Sequence, residues 1–169
     1  MKVVITGHKR GIGKSVYHYF NNDSNELVGF SKSDGYDISN EQTIDEILFE
    51  CFNADIFVNN AFDENSSQLI LLQKVFNLWK NKSKIIINIS SRHTNNEKEK
   101  YCLLKKQLDE FCQSNIFNLP NIINLKPGLI DTDRVKHVNN KKMDCAELVN
   151  ILNFSLKSKI KIHSITFGL

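Results

Sequence analysis

Proline occurs only twice in these 169 residues and glycine seven times, so collagen-like and proline-rich linker compositions are excluded. The four cysteines (Cys51, Cys102, Cys112 and Cys145) show neither paired metal-ligand spacing nor disulfide-scaffold density. No metal site is expected from them, and the chain reads as cytoplasmic, from a reducing compartment. The longest aliphatic run, Leu69 to Leu72, is far too short to span a membrane. Only Val3, Val4 and Ile5 separate Lys2 from Thr6, too few for a signal-peptide core. A charge excess of one sign is also lacking: the net charge is +3 and the charges are scattered. Composition therefore leaves no electrostatic footprint for nucleic acid or an anionic membrane. Arginine is scarce, at 3 against 19 lysines, while asparagine reaches 21. That bias reads as a coding preference rather than a requirement of the fold, and it lowers the weight of lysine- or asparagine-based motifs.

Core-forming residues are plentiful. Leu, Ile, Val and Phe make up 55 of the 169 positions, enough for one globular domain over 1–169 with a sizeable core. Short apolar runs alternate with helical spacing. Strands are expected at Lys2–Thr6, Leu27–Ser31, Asp55–Asn59, Lys84–Ile89, Ile122–Leu125 and within Ile160–Phe167. Between them, helices are expected over Gly13–Phe20, from Asn40 or Glu41 through Cys51, Ser66–Lys80, Lys98–Gln113, and after an N-cap at Asp144. Such alternation implies an α/β, doubly wound, mostly parallel sheet of about six strands with helices on both faces. Ligands of such sheets bind beyond the carboxyl ends of the strands. The polar stretch Arg92–Lys100 is the best candidate for a mobile loop.

The first of those ends reads Thr6-Gly7-His8-Lys9-Arg10-Gly11-Ile12-Gly13. Glycines there permit positive φ and close approach of a ligand, and the following helix offers free N–H groups to a phosphate. A P-loop nearly fits through Gly13-Lys14-Ser15, but its first glycine would fall at His8. The pattern that does fit is T-G-x-x-x-G-x-G, where the chain resembles the short-chain dehydrogenase/reductase family. Further motifs follow in order: Asp37-Ile38, Asn59-Asn60-Ala61, Ile89-Ser90-Ser91, Tyr101-x-x-x-Lys105, and Pro127-Gly128-x-Ile130-x-Thr132.

The resemblance implies a Rossmann-like domain and a nicotinamide coenzyme. It implies that Thr6, Gly7, Lys9, Arg10, Gly11, Ile12 and Gly13 cradle phosphates and that Asp37-Ile38 meets adenine. Asn59, Asn60 and Ala61 would line the ribose, and Pro127, Gly128, Ile130 and Thr132 would hold the carboxamide. Tyr101 would be the acid/base, Lys105 its electrostatic partner and ribose ligand, and Ser91 the orienter of the substrate oxygen. A catalytic asparagine is best matched by Asn65. A unit charge about 4 Å from the phenol is worth about 4 kcal/mol at an effective dielectric near 20, close to 3 pKa units. Lys105 is expected to lower the Tyr101 pKa in this way.

NAD-preferring folds place an acid at the end of the second strand. Here Ser31 and Lys32 stand there with no acid until Asp34, and Arg10 lies in the glycine turn. NADP is therefore expected, with NAD possible. The spacing from Ser31 to Asp37 leaves no room for a crossover helix, so a third strand near Tyr36 is doubtful. The substrate loop is reduced to Asp133–Met143, which suits a small or polar carbonyl or alcohol. The family usually forms homodimers or homotetramers; Leu69, Leu72, Val75, Phe76, Leu103, Leu104, Leu108 and Phe111 could supply that surface or simply be core. Two other readings stand beside a carbonyl reductase or alcohol dehydrogenase: a non-catalytic NADP-binding regulator, and a P-loop phosphotransferase using Lys14 and Ser15.

Overall fold

Each strand alternates its side chains between two apolar layers, and both layers are filled. In the computed structural model, which describes residues 1–94 and 99–169, six strands form one all-parallel sheet. They are β1 (Lys2–Thr6), β2 (Glu26–Phe30), β3 (Ile56–Asn59), β4 (Ile85–Ile89), β5 (Asn121–Pro127) and β6 (Ser164–Phe167). The spatial order is β2-β1-β3-β4-β5-β6, so the winding reverses between β1 and β3. The crevice expected to hold a ligand lies there.

Five helices connect the strands: α1 (Gly11–Phe20), α2 (Glu41–Phe52), α3 (Ser67–Leu78), α4 (Lys100–Ser114) and α5 (Cys145–Lys157). Val3, Ile5, Ile56, Val58, Ile87 and Ile89 face α1 and α5, joined by Val16, Leu148 and Leu152. Val4, Phe57 and Ile86 face the opposite layer of α2, α3 and α4 with Ile47, Leu71, Leu72, Trp79 and Leu108. The two-residue period of a strand sorts its neighbours in this way. The buried Trp79 indole also donates to the carbonyl of Cys51 at 2.9 Å, tying α3 to the end of α2. Caps set two helix starts: Asn40 accepts from Gln42 N, and Asp144 from Ala146 N.

The sheet and helix pattern follows the expectation from sequence, with ends shifted by a residue or two. No strand forms around Tyr36. The segment after β2 makes one 3₁₀ turn, Lys32–Asp34, and leads into α2. The start expected for α4 at Lys98, and the centre of the expected mobile loop, fall on residues 95–98, outside the described residues. Beside them, Arg92 is anchored, donating to the Leu169 carbonyl at 3.2 Å.

The eight apolar residues offered for an oligomer surface are largely core. Leu72, Val75, Phe76, Leu104 and Leu108 are buried, Leu69 and Phe111 pack against the same cluster, and only Leu103 is exposed. Packing α3 and α4 onto the sheet uses these side chains as core. Among the described residues, no helix is long and apolar enough to cross a membrane.

Candidate functional site

The crevice between β1 and β3 is closed at its base by Thr6. Its hydroxyl donates to the Val58 carbonyl at 3.2 Å and accepts from the backbone N–H groups of Asn60 and Ala61, both at 3.0 Å. Asn60 answers by donating from Nδ2 to the carbonyls of Thr6 (3.0 Å) and Gly7 (3.3 Å). These bonds lock the glycine turn onto the end of β3. Gly7, at φ +72°, and Gly13 lie so close to Asn60 that a Cβ on either would collide with its amide. A Cβ on Gly13 would also overlap the Gly7 carbonyl oxygen, which is backbone and cannot move aside. Gly13→Ala is expected to cost about 2 kcal/mol in urea unfolding and to weaken dinucleotide binding together with it. Unchanged stability in that variant would show that the turn is looser than this packing.

Above the turn, α1 begins with an extended Arg10, no side-chain cap and no acidic residue in its first turn. Its leading N–H groups are therefore suited to an anion. Gly11 faces the methyl of Thr132, so the loop after β5 reaches the same point. Ile12 packs into the layer of α1 and α5. Lys14 is exposed and Ser15 hydrogen-bonds Cys145, so neither side chain converges on the turn as a P-loop needs.

Cations surround the end of β2. Lys9 pairs with Asp34 at 3.4 Å, with the His8 Nε2 3.6 Å from the same carboxylate. Asp34 is thus already partnered. Lys32 pairs with Asp37, whose carboxyl is held at about 2 by that ammonium and by Ser39. Ile38 is buried in the core, and Ser31 shares a hydrogen bond with Ser33 at 3.1 Å. Arg10 forms no ion pair among the described residues.

The catalytic candidates gather at the end of β4. Tyr101, in the first turn of α4, is hydrogen-bonded to the Ser91 hydroxyl. Ser91 also accepts from the His93 backbone N–H at 3.1 Å. The short separation of Ser91 and Tyr101, ten positions apart in the chain, therefore does not keep them from meeting. Lys105, one turn further along α4, brings its Nζ to 5.7 Å from the centre of the Tyr101 ring.

The electrostatics differ from the expectation. Burial raises the Tyr101 pKa above its ordinary value, while the Ser91 hydrogen bond and the Arg134 charge pull against it. Lys105 is not among the groups that shift it, because its own pKa falls to about 7 and it is uncharged in the range where a phenol ionises. It donates to Gln68 Oε1 and to the Ile89 carbonyl, both at 2.8 Å. Burial, reinforced by the Arg134 charge and opposed by Asp109, brings the Lys105 pKa down to about 7.

Asn65 stays outside this cluster: it is exposed in the loop before α3 and makes no hydrogen bond among the described residues. The amide that reaches Lys105 belongs to Gln68, which is 2% exposed. Its Nε2 donates to the carbonyls of Asn59 (2.9 Å) and Ile89 (3.1 Å), which turns its oxygen toward the ammonium. Behind it runs a ladder of amides across three strands in register. Asn59 donates to Asn88 at 2.9 Å, Asn88 to Asn124 at 2.8 Å, and Asn124 to Asp109 at 2.8 Å. Buried hydrogen-bonded networks of this kind hold side chains in one arrangement, although Asn59 Oδ1 finds no hydrogen-bond partner among the described residues.

The loop after β5 completes the site. Pro127 is buried, and Gly128 packs tightly against Arg92 and Gly168. Ile130 bridges to Met143, and Thr132 leads into a 3₁₀ turn, Asp133–Val135. That turn carries Arg134 to 5.7 Å from the Tyr101 ring centre and 5.4 Å from that of Phe62. Phe62 meets Tyr101 edge-on at 5.0 Å. Neither Phe62 nor Arg134 belongs to a motif read from the sequence.

No family model matches the chain, and no curated protein matches it either. Solved structures do. A small-chain dehydrogenase in complex with NADPH superposes at TM-score 0.78 and 13% identity, covering 100% of this chain and 96% of that one. A short-chain dehydrogenase from Burkholderia cenocepacia J2315 in complex with NADP gives 0.76 and 15%, covering 99% and 88%. An alcohol dehydrogenase from the archaeon Thermococcus sibiricus, complexed with 5-hydroxy-NADP, gives 0.75 and 15%, covering 98% and 95%. The chain has the Rossmann-like fold of the short-chain dehydrogenases.

Proposed function

We propose that this chain is an NADP-dependent short-chain oxidoreductase of the carbonyl reductase or alcohol dehydrogenase type, acting on a small or polar substrate. The observation that carries the reading is the meeting of Tyr101, Ser91 and Lys105 at the carboxyl end of β4, beside an uncapped, glycine-lined helix start. The fold shared with NADP-bound dehydrogenases supports it.

The residues present fit a dinucleotide. The turn from Thr6 to Gly13 and the open N–H groups of α1 suit its diphosphate. Arg10, with Lys9, Ser31 and Lys32 nearby, suits a 2′-phosphate; Asp37-Ile38 lies toward the adenine end. Asn60, Ala61, Tyr101 and Lys105 would line the nicotinamide ribose, and Pro127, Gly128, Ile130 and Thr132 its carboxamide, with Asn59 tying that end to the sheet. When bound, the nicotinamide supplies or accepts the hydride.

The residues handle the proton and the oxygen. In reduction, Tyr101 gives its phenolic proton to the substrate oxygen as negative charge develops there, and Ser91 donates a hydrogen bond to that oxygen. In oxidation the phenolate accepts the proton back. Burial keeps Tyr101 protonated at neutral pH, which favours the acid role.

Fluorescence titration of the protein with NADPH, NADH and ATP tests the first step. NADPH is expected to bind more tightly than NADH, and ATP not to compete. Arg10→Ala is expected to weaken NADPH about tenfold, the worth of one charge-assisted phosphate contact, with little effect on NADH. Binding of ATP in preference to NADPH would overturn the reading. Tight NADPH binding without turnover of any carbonyl would leave a non-catalytic binder.

A further inference from the structure

We propose that the substrate carries a carboxylate next to the reacting carbon, a short oxo acid or the corresponding hydroxy acid, and that Arg134 holds it. The inference rests on Tyr101 being the acid/base, and it adds the substrate's charge and the residue that reads it.

Arg134 enters from the loop after β5, and its guanidinium lies over both rings that wall the candidate site, Phe62 and Tyr101. Among the described residues it has no carboxylate partner. Among the described residues, three acids of the neighbouring loops are engaged elsewhere: Asp133 pairs with Lys136, Asp63 accepts from Ser67 at 2.6 Å, and Asp131 lies 4.0 Å from Lys142. Glu64 is exposed and faces Lys100 at 4.0 Å. The phenol itself is hydrogen-bonded to Ser91, and among the described residues no ion pair neutralises the guanidinium beside it. Its charge acts on the reacting groups themselves, since it pulls down both the Tyr101 phenol and the Lys105 ammonium.

A guanidinium offers a planar fork of N–H donors that matches a carboxylate with two parallel bonds. A neutral carbonyl compound would leave that fork unused, and an amine-bearing one would be repelled. With the substrate oxygen on Tyr101 and Ser91, a carboxylate on Arg134 must lie close to the reacting carbon, because the guanidinium stands over the same ring as the phenol. Phe62 closes the remaining side, meeting Tyr101 edge-on and lying 5.1 Å from the Lys105 ammonium. Together these features select a short, anionic substrate.

The test uses the full chain with NADPH and pairs of short 2-oxo acids with their methyl esters, which differ by one methyl group and the charge. Wild type is expected to favour acid over ester in kcat/KM by about 30-fold or more, the effect of one charge-assisted pair. Arg134→Gln should collapse that ratio to a few-fold, mainly through KM for the acid, and Arg134→Lys should restore part of it. Quenching of bound NADPH fluorescence by the acids but not the esters reads the same discrimination without turnover. Equal response to acid and ester in wild type overturns the inference and leaves the oxidoreductase reading intact. So does an Arg134→Gln variant that weakens NADPH while keeping the acid preference, because the guanidinium would then serve the coenzyme phosphates. Failure of NADPH to bind removes both.

Discussion

Tyr101→Phe is expected to reduce carbonyl turnover about a thousandfold, the usual worth of a positioned general acid, while NADPH affinity stays within a few-fold. The change removes one oxygen and keeps the ring. Phe62 retains its edge contact, and Lys105 and Arg134 retain an aromatic face beneath their charges. Ser91 keeps the hydrogen bond from His93, so the end of β4 stays in place. What is lost is the proton that the substrate oxygen takes up. A serine hydroxyl cannot replace it, because it holds its proton far more strongly than a phenol. Single-turnover oxidation of bound NADPH separates this step from binding and release. The pH dependence carries a sign as well. Burial raises the phenol above its ordinary pKa, so reduction should persist through neutral pH and decline only once the phenol ionises. Oxidation of the alcohol should instead rise with pH over the same range. A Tyr101→Phe protein that still reduces its substrate at the wild-type rate would end the assignment.

The fold was legible because each strand is short, apolar and followed by helical spacing, so the alternation βαβ could be counted. Even the loss of a strand could be read, since the six positions from Ser31 to Asp37 cannot carry a crossover. Element ends shifted because caps and frayed turns decide them; Asp144 is recognisable as a cap, Asn40 and Glu41 are alternative starts until the Asn40 cap to Gln42 is seen, and Arg10 caps α1 without a side-chain bond. In the site, Tyr101 and Lys105 were legible through their spacing on one helix face. Gln68 was not, although it left a trace. It stands with Leu71, Leu72 and Val75 at helical spacing, a polar residue beside Ser67 in the buried stripe of α3. Only the tertiary structure shows that Lys105 is its partner. The ladder of Asn59, Asn88 and Asn124 is not legible for a different reason. Its meaning lies in the register between three strands, and in a chain with 21 asparagines no single one stands out. Arg134 stands in the sequence only as one residue of the short polar substrate loop, because its two ring contacts lie far from it along the chain.

The Lys105 ammonium yields the second large effect, and here stability and catalysis point in different directions. In the unfolded chain this lysine titrates near its ordinary 10.5; in the fold, burial brings it to about 7. Between those values the unfolded chain holds a proton that the native protein has released. Stability should therefore rise with pH across that window, by about 1.4 kcal/mol per pH unit, and be flat in this respect below pH 7. The clean interval is pH 7 to 8.5. Above it the buried thiols of Cys51 and Cys112, both raised by burial, act oppositely: the unfolded thiols ionise first and favour unfolding. Urea unfolding of the protein without coenzyme should thus strengthen by about 2 kcal/mol across the interval. Lys105→Met should abolish that slope and, with it, substrate turnover. Its absolute stability is a poor guide, because relief of a buried charge is offset by leaving Gln68 Oε1 and the Ile89 carbonyl without their donor. Gln68→Glu supplies the complementary reading. A carboxylate against the ammonium favours the charged pair, so the slope should vanish while the lysine remains. A wild-type profile that is flat from pH 7 to 8.5 would mean that Lys105 keeps its charge inside the fold. In that event the ammonium would have to be credited with steering the phenol after all.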